Sequence, residues 1–334
     1  MKPKPREAIS DARVAATADP RGVPLDRLRC PETGELLMSD GSSLATRDGS
    51  RRYPVIGDVP ILLVPGRTLF GGVLQGAPES TVGRLRVSLR HRLTASPVSA
   101  RNANALVDLL RTGWSPGDPP RTVLIVGGGN LGFGLQPLTE APWIELIETD
   151  VYIGPRTAVV CDGHDLPFAE SSIDAVVCQA VLEHVADPVR VVAEIHRVLT
   201  PGGLIYSEIP FMQQVHEGPF DFTRWTLNGH RRLLRDFDEI DAGAVGGPGE
   251  ALTWSLRYFG LAFAGDAAWL RQVVTVGALG FGLVLRALDK LLRSRPAAVD
   301  AASGTYLLGR RRAIPRSDAE IVAGYVGAIR SPER

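Results

Sequence analysis

The chain has 334 residues, of which 44% are hydrophobic and 22% charged. That composition excludes a largely disordered protein, because enough apolar surface is present to offset the entropy of ordering. Lys plus Arg and Asp plus Glu both number 37, so the molecule as a whole has no net field with which to capture nucleic acid. The three cysteines, Cys30, Cys161 and Cys178, have no metal-ligand spacing and cannot build a disulfide framework, which fits a reducing compartment.

Residues 1–22 have little periodicity and no apolar signal-peptide core, and are expected to form a mobile tail. Residues 23–66 place Asp40-Gly41 and Asp48-Gly49 turn signals between short apolar runs, which predicts a small β-rich module. A module of about 40 residues is near the lower limit for an independent core and is often stapled by zinc. Here Cys30-Pro31-Glu32-Thr33 offers one cysteine where paired Cys-x-x-Cys sites are needed, so no metal is expected. Residues 67–118 are a connector with helical patches. Val82, Leu85, Leu89 and Leu93 recur at helical spacing with Arg84, Arg86, Arg90 and Arg92 between them, which suits docking on the chain itself or contact with an anionic membrane. Ala105 to Leu110 predicts a further short helix.

From residue 119 the pattern alternates between strand and helix. Strands are predicted at Thr122–Val126, Trp143–Glu148, Thr157–Cys161, Asp174–Cys178 and Leu204–Ile209. A helix is predicted at Pro188–Leu199, with Val189, Val192, Ile195 and Leu199 on one face and Pro201-Gly202-Gly203 beyond its end. This is an α/β arrangement, an open parallel sheet covered by helices on both faces. In such sheets ligands bind beyond the carboxyl ends of the strands, at the switch point.

The residues after each strand follow that rule. Gly127-x-Gly129-x-x-Gly132 fits the pyrophosphate of a dinucleotide, the amino-acid part of S-adenosylmethionine, or a tight turn alone. Glu148 and Asp150 follow about 20 residues later, the offset of a carboxylate that accepts from ribose hydroxyls, and Asp150 is the favoured one. Asp162 and Gly163 stand where an adenine amino group would be met, with Leu166 and Phe168 packing on the ring or the core. Gln179 follows the fourth strand and counts with the cofactor-binding positions.

At this point an ordered set of motifs appears: Asp162 to Phe168, Ser172 to Val176, Leu182-Glu183-His184-Val185, and Arg197 to Gly203. The set resembles the middle of class I S-adenosylmethionine-dependent methyltransferases of the type 11 group. The resemblance covers about 121–245, and 301–311 looks like the last, edge strand of that fold. It implies a Rossmann-like seven-stranded sheet over 119–312, S-adenosylmethionine as cofactor, Gly127 and Gly129 at its methionine end, Asp150 at the ribose, and Asp162 with Gly163 at the adenine. Two positions depart from the group: Ile125 stands where an acidic residue is common, and Leu131 where a third glycine is usual. The N-terminal module resembles the small zinc-ribbon-like proteins of the Trm112 type, through Cys30-Pro31 and Tyr53 to Leu63, without their zinc ligands. Its expected role is packing against the catalytic domain or presenting substrate.

The loop after the fifth strand, Pro210 to Trp225, is dense in polar and aromatic groups. Methyl transfer to a hydroxyl or amine needs alignment of donor and acceptor and a base for the departing proton. His216 and His184 are the candidate bases, His216 the stronger of the two, with Glu183, Asp221 and Arg224 as substrate-positioning groups. Residues 251–293 form an apolar insertion, expected to be a pair of packed helices extending the core, with an interfacial anchor as the alternative. Its longest charge-free run, Gln272 to Leu285, has 14 residues against the about 20 of a bilayer span, so no transmembrane helix is expected. Residues 313–334 are expected to be a tail. The acceptor is a small molecule, a lipid or a glycan. DNA is not expected, because Gln179-Ala180-Val181-Leu182 lacks the signature of amino-group nucleic-acid methylation. The expected location is the cytoplasm, with peripheral membrane contact open. The rival readings are a non-catalytic scaffold on the same fold and an NAD(P)-dependent oxidoreductase.

Overall fold

The computed structural model describes residues 23–70, 97–292 and 294–328. The tail expected at 1–22 and the Arg-rich helix expected around residue 90 lie outside the described residues.

The N-terminal strands are β1 (Met38–Ser39), β2 (Ser43–Ala45), β3 (Arg52–Ile56) and β4 (Val59–Leu62). They form an antiparallel meander. At its first turn the Asp40 carboxylate accepts from the backbone N–H groups of Ser42 and Ser43, at 3.0 and 2.7 Å, so the side chain completes the turn that Asp-Gly signalled. After α1 (Pro97–Arg111) come β5 (Arg121–Val126), α2 (Gln136–Glu140), β6 (Ile144–Asp150), β7 (Val159–Cys161) and β8 (Ile173–Gln179). Next are α3 (Pro188–Val198), β9 (Leu199–Pro210), α4 (Leu227–Leu233) and β10 (Phe237–Gly246). The chain ends with α5 (Pro248–Ala264), α6 (Ala268–Leu292), α7 (Pro296–Asp300), β11 (Gly304–Arg311) and α8 (Asp318–Ala323).

All the strands join one eleven-stranded sheet, in the order β1-β2-β3-β4-β7-β6-β5-β8-β9-β11-β10. From β7 to β9 the neighbours are parallel, and β11 enters antiparallel between β9 and β10. The order reverses at β5, between β6 and β8, which is where a ligand crevice belongs. The N-terminal module joins the sheet directly: β4 pairs parallel with β7 and extends it. One expectation is corrected. Residues 301–311 do not form an edge, because β11 has partners on both sides and β10 is the outer strand.

Alternation along the strands divides the core. In β5, Val123 and Ile125 face α1 and α2, packing with Leu106, Leu110, Leu135 and Leu138. Leu124 and Val126 face the other side, with Val191, Val192 and Ile195 of α3. Within α3 the buried face includes Val191 and Val198, whereas Val189 is exposed, so the predicted stripe is rotated. Asp187 caps this helix by accepting from Arg190 N at 3.1 Å, and Pro188 occupies its first turn. The module shares the α3-side core through Leu28, Cys30, Leu44 and Tyr53, which cluster with Leu166 and Phe168. Arg27 crosses to Glu145 at 2.8 Å, and Cys30 Sγ lies 3.2 Å from the Tyr53 hydroxyl.

Two C-terminal expectations also change. Residues 313–334 include α8, opened by a capping box of Ser317 and Glu320 and anchored by buried Ile321. The insertion is a helical hairpin, with α5 and α6 packed on each other, but it does not extend the core. Gly282 is the one buried residue of α6, and it is a glycine because a Cβ there would stand 2.6 Å from Thr253 Cγ2. The helix runs through Arg271 and Arg286, where the charge-free count had stopped. It is long and apolar enough to cross a membrane by length and composition.

Candidate functional site

The turn after β5 is built to bring backbone close to its surroundings. Gly127 has φ of +76°, and a Cβ on it would lie 2.3 Å from Val181 Cγ2. A Cβ on Gly129 would lie 2.7 Å from Asp150 Oδ2. Asp150, at the end of β6, receives Gly129 N–H on Oδ2 at 2.9 Å and Val151 N–H on Oδ1 at 2.7 Å. Burial pushes its carboxyl above the ordinary value, against the backbone donors that pull it down. Each carboxylate oxygen has two lone pairs, so both retain capacity for hydroxyl donors. Glu148, the other candidate on β6, is turned away into a bidentate pair with Arg156.

Asp162 stands after β7 and caps the short turn Gly163–Asp165 by accepting from His164 N at 3.0 Å. Its Oδ1 also meets His164 Nδ1 at 2.5 Å. His164 Nε2 accepts from Asp187 N at 3.1 Å, so the neutral ring carries its proton on Nδ1, facing Asp162. Burial alone would raise the Asp162 carboxyl, but the His164 contacts outweigh it and hold it low. Gly163 is buried against Val191, at the same crevice. Gln179 Nε2 donates to Phe133 O at 3.0 Å and to Glu208 Oε2 at 2.8 Å, which ties the glycine loop to β9.

The acceptor-side candidates meet where the loop after β8 faces the loop after β9. Glu183 is fully buried, and neither of its carboxyl oxygens has a hydrogen-bond partner. His184 Nε2 lies 3.5 Å from Glu183 Oε1, and His216 Nε2 4.0 Å from the same atom. The two rings meet edge to face with centroids 4.9 Å apart. Burial lifts the Glu183 carboxyl to about 8 and lowers the His184 imidazole, so at neutral pH the carboxyl is protonated and the imidazole neutral. His184 Nδ1 donates to Phe220 O at 2.9 Å, which leaves the Nε2 lone pair of the neutral ring facing the cluster. The ligating atoms of Glu183, His184 and His216 lie within 4.8 Å of one another, a spacing that would also admit a cation.

Asp221 and Arg224 are spent on the loop itself. Asp221 accepts from His216 N at 2.8 Å and from both terminal nitrogens of Arg224. Arg224 also donates to the backbone of Gln213, Gln214 and Thr223. Burial favours the neutral Asp221, but the Arg224 bonds dominate and hold its carboxyl well below the usual range. The pair therefore fixes His216 in place.

Residues 144–207 match a family described as a methyltransferase domain. An uncharacterized methyltransferase of Mycobacterium sp. (strain KMS) is 40% identical over 93 residues, 25% of this chain and 36% of its own length. A demethylmenaquinone methyltransferase of Deinococcus radiodurans is 32% identical over 106 residues, 27% of this chain and 44% of its own length. The chain thus spans less than half the length of these curated relatives. Residues 144–207 are thus similar to methyltransferase domains. Among solved structures, a geranyl diphosphate C-methyltransferase from Streptomyces coelicolor, in complex with Mg2+, geranyl-S-thiolodiphosphate and S-adenosyl-L-homocysteine, is similar with a TM-score of 0.41 and 15% identity over 71% of this chain and 83% of its own.

Sequence reasoning missed several parts of the site. His164 lay in view beside Asp162, but its bridge to the start of α3 has no local signal. Glu208 is buried on β9 opposite Gln179 and receives the Tyr206 hydroxyl, and burial raises its carboxyl. The period-two pattern of β9 marks Glu208 as a polar residue in an apolar run, which was the available clue.

Proposed function

We propose that this protein transfers the methyl group of S-adenosylmethionine to an oxygen or nitrogen nucleophile at the rim between the β8 and β9 loops. When bound, S-adenosylmethionine supplies a methyl group on a sulfonium, already activated for displacement. Gly127 and Gly129 hold its methionine end by backbone approach, Asp150 accepts from its ribose hydroxyls, and Asp162, Gly163 and Gln179 bound the adenine side. The neutral His184 imidazole receives the acceptor proton at Nε2 as the new carbon–oxygen or carbon–nitrogen bond forms and the carbon–sulfur bond breaks. His216 and Glu183 complete the pocket, and the Asp221–Arg224 pair keeps His216 there.

The observation that carries this reading is the meeting of Glu183, His184 and His216 from two different loops at the ligand edge of the sheet. A buried carboxyl with no partner is costly, and such groups concentrate where chemistry is done. The acceptor is a small molecule, lipid or glycan that presents a hydroxyl or amine. We place the protein in the cytoplasm, which its three free cysteines support. The test is release of S-adenosylhomocysteine with acceptor panels and methyl-labelled cofactor. Label should pass to an acceptor with the parent and drop sharply with His184→Ala. Cofactor binding without any transfer across panels and cell extracts would overturn the reading in favour of a scaffold.

A further inference from the structure

We propose that the α5–α6 hairpin lies in the interfacial layer of an anionic lipid bilayer, and that the methyl acceptor is a membrane lipid delivered to the Glu183–His184–His216 cluster from that surface. The docking stands on its own, whereas the identity of the acceptor rests on the methyl-transfer reading.

The apolar surface is large and uncovered. Phe259 is 67% exposed, Phe263 75% and Trp269 70%, and the exposed apolar residues of α6 continue through Val276 and Val284 to Leu291. Contiguous apolar patches of this extent mark interaction sites on soluble proteins. On α6 they occupy every side that does not face α5, where docking against another folded protein would ask for one stripe. Trp269 stands beside the hairpin turn, a position that suits the headgroup boundary.

Length and charge decide how the hairpin sits. The charge-free run from Gln272 to Leu285 covers about 21 Å at about 1.5 Å per residue. A hydrocarbon core is about 30 Å thick. Asp266 and Arg271 at the turn would have to enter it if the hairpin stood upright. Lying along the interface avoids both costs and leaves the cations at headgroup level. Charges here favour an anionic surface. Arg257, Arg271, Lys290 and Arg295 outnumber Asp266 and Asp289, the latter also accepting from the Gly249 and Glu250 N–H groups, and Glu250 pairs with Arg286.

The hairpin also leaves the sheet at the site. β10 ends at Gly246 and β11 begins at Gly304, paired with Pro210 at the end of β9, so the connection between them emerges at the rim that carries the acceptor loop. The two are joined directly. Tyr258 donates to Val215 O at 2.7 Å, Gln214 donates to Ser255 Oγ at 3.2 Å, and the Trp254 ring lies 6.1 Å from that of His216. The loop adds its own exposed Met212, Val215 and Phe222 to the apolar rim. A lipid lying in the interface therefore has its polar head level with the histidines.

The experiment uses the full chain with vesicles of phosphatidylcholine containing 30% phosphatidylglycerol, and with phosphatidylcholine alone. The parent should co-sediment with the anionic vesicles, less with the neutral ones. The variant Phe259→Ser/Phe263→Ser/Trp269→Ser should lose binding at least tenfold while its S-adenosylhomocysteine affinity stays unchanged. A parent that stays in the supernatant overturns the docking, as does one that self-associates through the hairpin into a stable dimer that ignores vesicles. With methyl-labelled cofactor and whole membranes, label should enter the organic-extractable lipids. Label only in water-soluble products overturns the lipid acceptor while preserving methyl transfer, and label nowhere, with the cofactor bound, overturns methyl transfer itself.

Discussion

Replacing Glu183 by Gln keeps the shape of a buried side chain and removes its ionisation. The parent carboxyl titrates near 8 because burial strips it of water, well above its ordinary 4.5. A raised value means that the folded state holds the proton more tightly than the unfolded chain does. The corresponding stability is therefore complete below pH 4.5 and is lost as the pH climbs toward 8. Each pH unit within that window costs about 1.4 kcal/mol, or about 3 kcal/mol between pH 5 and pH 7. Glu183→Gln has no such term, so its stability relative to the parent should rise by about that amount over the same interval. Urea titrations of both proteins at pH 5, 6 and 7 measure the difference, and every other titrating group cancels. Turnover should fall in the variant while S-adenosylhomocysteine binding persists. A stability difference that does not change with pH would refute the buried, partnerless carboxyl.

Gly127→Ala places a Cβ 2.3 Å from Val181 Cγ2 on a backbone at φ +76°, so the left-handed strain of about 1–2 kcal/mol adds to a clash. Calorimetry should find S-adenosylhomocysteine affinity at least tenfold lower, and an unchanged affinity would remove this turn from the cofactor site. His184→Ala should cut kcat by roughly 100-fold or more with cofactor affinity intact, and His216→Ala by less, because Phe220 fixes the His184 ring with its Nε2 free to take a proton. Full turnover in His184→Ala would eliminate it as the base. His230 is buried between the Ser207 and Thr305 hydroxyls, and burial depresses it to about 3. Its folded form resists protonation, so stability should hold above pH 6.5 and fall by about 2 kcal/mol on acidification to pH 5. A His230→Gln variant with the same acid slope would assign that loss elsewhere.

What the sequence made legible was local. The alternation of β5, the glycine turn after it and the carboxylate at the end of β6 are all written in short stretches, because strand period and turn chemistry act over a few residues. Asp150 was placed in this way, and its bond to Gly129 follows from the adjacency of β5 and β6. The cluster of Glu183 with His216 is different. It depends on β8 and β9 being neighbours and on the Asp221–Arg224 pair folding the second loop back, and neither leaves a mark at the histidine. The parallel pairing of β4 with β7 likewise joins distant segments whose own residues read only as short strands. The hairpin was misread for a further reason. Apolar helices in a core and apolar helices on a surface have the same composition, and what covers them is a property of their neighbours.

The central claim is that the crevice at Asp150 binds S-adenosylmethionine. Titration calorimetry of the folded protein with S-adenosylhomocysteine tests it most directly, with Asp150→Asn alongside. Hydrogen bonds to a charged group contribute about 1.5–3 kcal/mol, so saturable binding by the parent should weaken roughly 10- to 150-fold in the variant. A parent that gives no binding heat, or an Asp150→Asn protein that binds as tightly as the parent, would contradict the account.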